Sequence, residues 1–193
     1  MPFEGIITTD IAYLEPMHIP KGFEIGIIYG PSGSGKTTTG EGIFGKIEAF
    51  EWDNTKRICE HFVSVADMEQ KFEAVELSHT LGLSYYCPLS QGEQDRVNVG
   101  IQLGNDNVLI DEFTSNLDRI TAKRLAKGVR NYVNVHRNKG IVVRSCHCDF
   151  ITELAPNWLF DIENKKVIHY EINTESLDMS IENGSVNDKL HSF

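Results

Sequence analysis

Two stretches of this sequence place residue types at spacings that suit phosphate chemistry. The first is Gly30-Pro31-Ser32-Gly33-Ser34-Gly35-Lys36-Thr37, followed by Thr38. It fits G-x-x-x-x-G-K-[ST] at every position. Its glycines let the backbone curl so that several N–H groups face one anion. A helix beginning there adds its positive end. Lys36 supplies a point charge for β and γ phosphates, and the Thr37 hydroxyl is a hard oxygen ligand for Mg²⁺. Residues 30–38 are therefore the nucleotide-binding candidates, with Lys36 also catalytic, and ATP with Mg²⁺ is the expected ligand. The second stretch is Val108-Leu109-Ile110-Asp111-Glu112, an apolar run ending in two acids. A phosphate loop needs a carboxylate there to hold Mg²⁺, usually through water, and Asp111 fits. Glu112 is placed to orient or deprotonate an attacking water.

Both stretches need a scaffold, and the apolar pattern supplies one. Phe23–Tyr29 is a compact apolar run stopped by Gly30-Pro31, which reads as a buried strand ending in a turn. A helix is expected from about Gly35 to Glu48, weakened by Gly40, Gly42 and Gly45 at up to about 1 kcal/mol each relative to Ala. Further expected strands are Ile6–Tyr13, His61–Ala66, Asn107–Asp111 and Ile141–Ser145. Expected helices cover Asp67–Gly82, Gly92–Leu103 and Thr121–Val135. Trp158–Ile162 and Lys166–Tyr170 flank Glu163-Asn164-Lys165 as a hairpin. Short apolar strands alternating with helices predict an α/β fold, a mainly parallel sheet with helices on both faces.

Composition narrows the class. The 193 residues are 40% hydrophobic and 24% charged, which is ordinary for a globular chain. One domain is expected over residues 1–173, with a polar, flexible tail over 174–193. No apolar run approaches the ~18–20 residues that cross a bilayer, and the first residues lack the basic and apolar regions of a secretion signal. Cys59, Cys87, Cys146 and Cys148 are too unevenly spaced for a disulfide framework. A cytoplasmic location follows as the expectation, and membrane contact is not expected. The net charge of −10 argues against a general nucleic-acid binder.

Three further segments resemble one family. Leu89-Ser90-Gln91-Gly92-Glu93-Gln94 resembles the LSGGQ signature of ABC-type ATPases, Ser115-Asn116-Leu117-Asp118 resembles their D-loop, and His147 follows a strand as their switch histidine does. Phosphate loop, signature, acidic strand, D-loop and histidine also stand in the family's order. The resemblance covers roughly residues 6–172 and is nearest to compact soluble ABC-type ATPases, some linked to acetyltransferase-like domains. It implies a P-loop NTPase fold and ATP hydrolysis. It also implies a head-to-tail homodimer with two ATP molecules at the joint. Ser90 and Gly92 would then meet a γ-phosphate across that joint, and His147 would sense the γ-phosphate in its own subunit beside Glu112.

Other features qualify this reading. Ser90 with Glu93 three residues on is also a capping box. Gln91 and Glu93 depart from the signature, and Glu93 brings negative charge toward a phosphate. The segment between Lys36 and Ser90 is short, which implies a reduced helical subdomain. Gln70 is the candidate for contact with Mg²⁺ or the water. Tyr13 fits by spacing an aromatic that stacks on adenine, and fits a core tyrosine equally well. Adjacent Cys146, His147 and Cys148 cannot all converge on a tetrahedral metal without a sharp turn.

Between Arg119 and Arg144 eight basic residues stand with no acid. Lys123, Lys127 and Arg130 are spaced to share a helix face, either solvated or open to a nucleic acid or a protein partner. Two rival functions share the phosphate loop: a phosphotransferase acting on a nucleoside, DNA base or small metabolite, and the ATP-binding subunit of a transporter.

Overall fold

The computed structural model describes residues 3–46 and 50–172. The expected tail at 174–193 lies outside the described residues. Six strands form one sheet: β1 (Phe3–Asp10), β2 (Ile25–Tyr29), β3 (Leu109–Ile110), β4 (Ile141–Ser145), β5 (Trp158–Asp161) and β6 (Lys166–Ile172). Their order across the sheet is β1-β6-β5-β2-β4-β3. The β5, β2, β4 and β3 strands run parallel, while β6 runs antiparallel to both β5 and β1. The helices are α1 (Lys36–Phe44), α2 (Val65–Ala74), α3 (Gln91–Gln102), α4 (Arg119–His136) and α5 (Ile151–Leu154).

The sheet separates two cores. On one face Ile25, Ile27, Ile141 and Val143 pack with Phe72 of α2, Val97 of α3, and Leu125 and Val129 of α4. On the other, Ile28, Leu109, Val142 and Trp158 pack with Ile43 and Phe44 of α1. The alternation of β2 and β4 side chains between faces is the period of two expected of strands covered on both sides. Gly26 is required by this packing, because a Cβ there would lie 2.2 Å from the Trp158 ring. Parallel pairing of Tyr29 with Ser145, and of Ile110 with Val143, brings the ends of β2, β4 and β3 to one edge. The phosphate loop, the acidic pair and His147 all follow strands that end at that edge, where α/β sheets bind ligands.

The expected strand at His61–Ala66 is not formed. Ile58–His61 is a 3-10 turn, and Ser64 caps α2 by accepting from the Asp67 N–H at 3.1 Å. A serine competing for the backbone overrides a short apolar run. The expected helix at Asp67–Gly82 is also divided. It stops at Ala74 and resumes as a 3-10 turn at His79–Leu83. Glu76 at φ +57 marks the break. With α2 the one α-helix described between α1 and α3, the helical subdomain is small.

Candidate functional site

The phosphate loop joins β2 to α1. Gly33 and Gly35 take φ of +78° and +92°, a region costly for side chains with a Cβ. At Gly30 the constraint is space, since a Cβ would stand 2.8 Å from the Ser34 hydroxyl. Lys36 is 8% exposed, and its ammonium donates to the carbonyls of Gly30 at 2.7 Å and Pro31 at 2.9 Å. The loop thus closes on its own cation. The Ser34 hydroxyl is buried without a partner, a donor left over in a cradle of anion-binding shape. Thr37 and Thr38 are exposed in the first turn of α1, as are Pro31 and Ser32 in the loop.

The acidic pair leaves β3 in strained backbone. Glu112 has φ +47 and Thr114 φ +70. Non-glycine residues in that region cost of order 1–3 kcal/mol and concentrate at functional sites. Asp111 Oδ1 accepts the Glu112 N–H at 2.9 Å, and Asp111 Oδ2 is ion-paired to Arg144. Glu112 is exposed, and its Oε2 accepts the Ser115 hydroxyl at 2.5 Å. Its other oxygen therefore remains for a water. The Thr37 hydroxyl and the Asp111 carboxylate are hard oxygens, which suits Mg²⁺.

The signature segment begins α3. Ser90 is the cap, with its N–H and hydroxyl both donating to Glu93 Oε2, at 2.9 and 2.7 Å. Those bonds hold the Glu93 carboxyl below its usual range, the hydroxyl contributing most. Ser90 and Gln91 are exposed, and Gly92 is half-buried. A Cβ at Gly92 would meet Leu117 of the D-loop at 3.2 Å. Signature and D-loop are also tied through Asn116, which donates to Asp95 at 2.8 Å. Asp118 caps α4, accepting the N–H groups of Ile120 and Thr121 at 3.0 Å each. Arg119 braces the D-loop by donating to the carbonyls of Thr114 and Leu117, and it pairs with Asp149 beyond β4 at 2.9 Å. His147 is exposed just past β4, its N–H held by the Ser145 hydroxyl at 3.0 Å. Among the described residues no cluster of His, Cys, Asp and Glu could hold a metal ion.

Two expectations are corrected here. Gln70 lines a groove to which no residue of the phosphate loop contributes. The groove, of about 720 Å³, lies between α2 and α4 and is also lined by Glu73, Lys127 and His136. The cause is that α2 packs against α4, a contact so close that a Cβ on Gly128 would lie 2.0 Å from the Ala74 carbonyl oxygen. The basic face of α4 is also dispersed. Arg130 is 4% exposed. It donates to the carbonyls of Leu154 and Ala155 at 3.0 and 2.9 Å and pairs with Glu24 at 2.7 Å. It closes the end of α5 and is unavailable to a partner. Lys123 and Lys127 are exposed, with Glu153 4.0 Å from the Lys123 ammonium. Tyr13 is 78% exposed, so the core alternative for it falls.

Sequence reasoning missed what Arg144 and Ser115 do. Arg144 was visible as a charge inside the apolar run Ile141–Ser145, and Ser115 as a hydroxyl three residues after Glu112.

Neither a protein-family model nor a curated protein matches this chain. Solved structures do. A bacterial ABC transporter cassette, MJ0796, solved as a dimer, is 18% identical, covers 74% of this chain and 82% of its own, and has a TM-score of 0.57. The same cassette in a post-hydrolysis state with ADP and Pi covers 76% and 84%, with a TM-score of 0.56. CbiO1 from Clostridium perfringens, part of an ABC transporter complex, is 16% identical, covers 86% and 84%, and has a TM-score of 0.52. The fold of this chain is that of the ABC-type P-loop NTPase cassettes.

Proposed function

We propose that this protein is an ATP-hydrolysing ABC-type ATPase whose two copies close head to tail around two ATP molecules. One observation carries the reading. On a cassette-type sheet, one edge gathers the Lys36 cradle, Asp111–Glu112 and His147, while Ser90 and Gly92 stand at the start of α3.

The chemistry follows from the geometry. On ATP binding, Lys36 exchanges the Gly30 and Pro31 carbonyls for the β and γ phosphates, and the unpartnered Ser34 hydroxyl gains an acceptor. Tyr13 offers its exposed ring to adenine. Thr37 and Asp111 would hold Mg²⁺, which when bound supplies positive charge to the phosphate oxygens. Glu112, with Oε2 fixed by Ser115, takes the proton from the attacking water at its free oxygen. The water oxygen bonds to the γ phosphorus, the bond to the β,γ-bridging oxygen breaks, and ADP and phosphate leave. His147 contacts the γ-phosphate within its own copy. Across the joint, the Ser90 hydroxyl and the Gly92 N–H donate to the γ-phosphate held by the other copy. To do so Ser90 must release Glu93, so closure competes with the helix cap.

Replacing Glu112 with Gln tests the assignment. ATP affinity should persist while turnover falls by roughly 10²–10⁴-fold, the usual worth of a general base. Turnover unchanged in that variant removes Glu112 from the role.

A second reading is supported by the neighbours' own descriptions, which are of transporter cassettes. Among the described residues no helix is long and apolar enough to cross a membrane, so that role requires a separate membrane partner. ATP-sensitive cosedimentation with host membranes favours it, and its absence leaves the first reading standing.

A further inference from the structure

Arg144 is the most deeply buried charge beside the site. It is 1% exposed, lying on the α1 face of β4. Room for its stem is made by Gly40 of α1, where a Cβ would stand 3.3 Å from the Arg144 Cδ. Its Nη2 pairs with Asp111, and its Nε and Nη1 are buried with no partner. A guanidinium desolvated this far with one ion pair and two unmet donors is a costly arrangement, and ordinary packing would favour an apolar residue of similar volume. Asp111 is in the opposite condition, its side chain 43% exposed. The carboxylate thus has a buried cation on one side and solvent on the other, and each of its oxygens already has a partner.

We propose that Arg144 is a positioning residue that acts through Asp111 as a resident counter-cation, and that it lowers the affinity of the nucleotide site for a divalent metal. The inference rests on the ATP-binding reading above. A carboxylate whose charge is already compensated attracts a dication less, and a second positive charge within several ångström repels it through a poorly screened interior. Metal loading by the nucleotide complex then requires Asp111 to loosen its hold on Arg144 or to share it. The outcome is a site that closes on nucleotide with a higher metal requirement than its ligand set alone would give.

The test is direct metal binding rather than turnover. Mn²⁺ is titrated into the full chain with a non-hydrolysable ATP analogue, and free Mn²⁺ is read by electron paramagnetic resonance. Arg144→Met keeps the volume and removes the charge, and should tighten Mn²⁺ by roughly tenfold or more. Arg144→Lys keeps the charge and should stay within about threefold of the wild type. Unchanged or weaker binding in Arg144→Met overturns the proposal, the weaker case making Arg144 an aid to metal. Should Arg144→Met fail to fold, Arg144→Gln in the same Mn²⁺ titration decides: it should tighten Mn²⁺ by roughly tenfold, and unchanged or weaker binding overturns the proposal. Absence of analogue binding by the wild type at any metal concentration contradicts the ATP reading itself, an outcome distinct from all of these.

Discussion

Glu93 stands at the start of α3 with its carboxylate on both donors of Ser90. The bonds depress its pKa. A depressed carboxyl contributes stability that is present above its unfolded value, about 4.3, and is lost as pH falls through the lower folded value. Wild type should therefore be more stable than Glu93→Gln at pH 7, with the difference in Tm shrinking as the pH falls below the unfolded value. A difference that does not shrink on acidification contradicts the cap. The same substitution should strengthen closure on ATP, since it removes a negative charge facing phosphate. The turn closed by Lys36, the acids that follow β3 and the Ser90 cap were legible because each is set by near neighbours in sequence. Arg130 was not, because its partner Glu24 lies 106 residues away and no local pattern distinguishes a buried arginine from a solvated one. What Arg144 does was missed, because its partner Asp111 is also distant in sequence, although its place inside an apolar strand was a signal.

Elements were legible where periodicity was unbroken. The strand at Ile141–Ser145 lies where its apolar run predicts, and α4 runs Arg119–His136 around the expected Thr121–Val135. The region between α1 and α3 was less so, since its turns are set by a serine cap and a positive φ at Glu76 rather than by hydrophobic spacing. α2 packs against α4, and at Gly128 the approach is so close that a Cβ would lie 2.0 Å from the Ala74 carbonyl oxygen. A mid-helix Gly→Ala change ordinarily gains up to about 1 kcal/mol of helix propensity. Here the Cβ would strike the Ala74 backbone, and overpacking costs about 1–3 kcal/mol. Gly128→Ala should therefore lower stability to denaturant, with local exchange rising first in α2. A stabilised variant contradicts the close approach.

At the scale of the whole molecule, one sheet edge collects the ends of β2, β4 and β3, and with them the phosphate loop, the acidic pair and His147. The parallel α/β architecture was readable from alternating strands and helices. The strand order was not, because β4 inserts between β2 and β3 from a later part of the chain. Ser90 and Gly92 find no phosphate in a single-chain account: Ser90 is occupied by Glu93 and open to solvent. In the proposed head-to-tail pairing a second copy would give them one. The measurement that bears on this most directly is solution mass by light scattering for Glu112→Gln with saturating Mg-ATP. The account predicts a species of twice the 21.8 kDa chain mass that returns to one chain when nucleotide is removed. A strictly single-chain mass with ATP bound would contradict it.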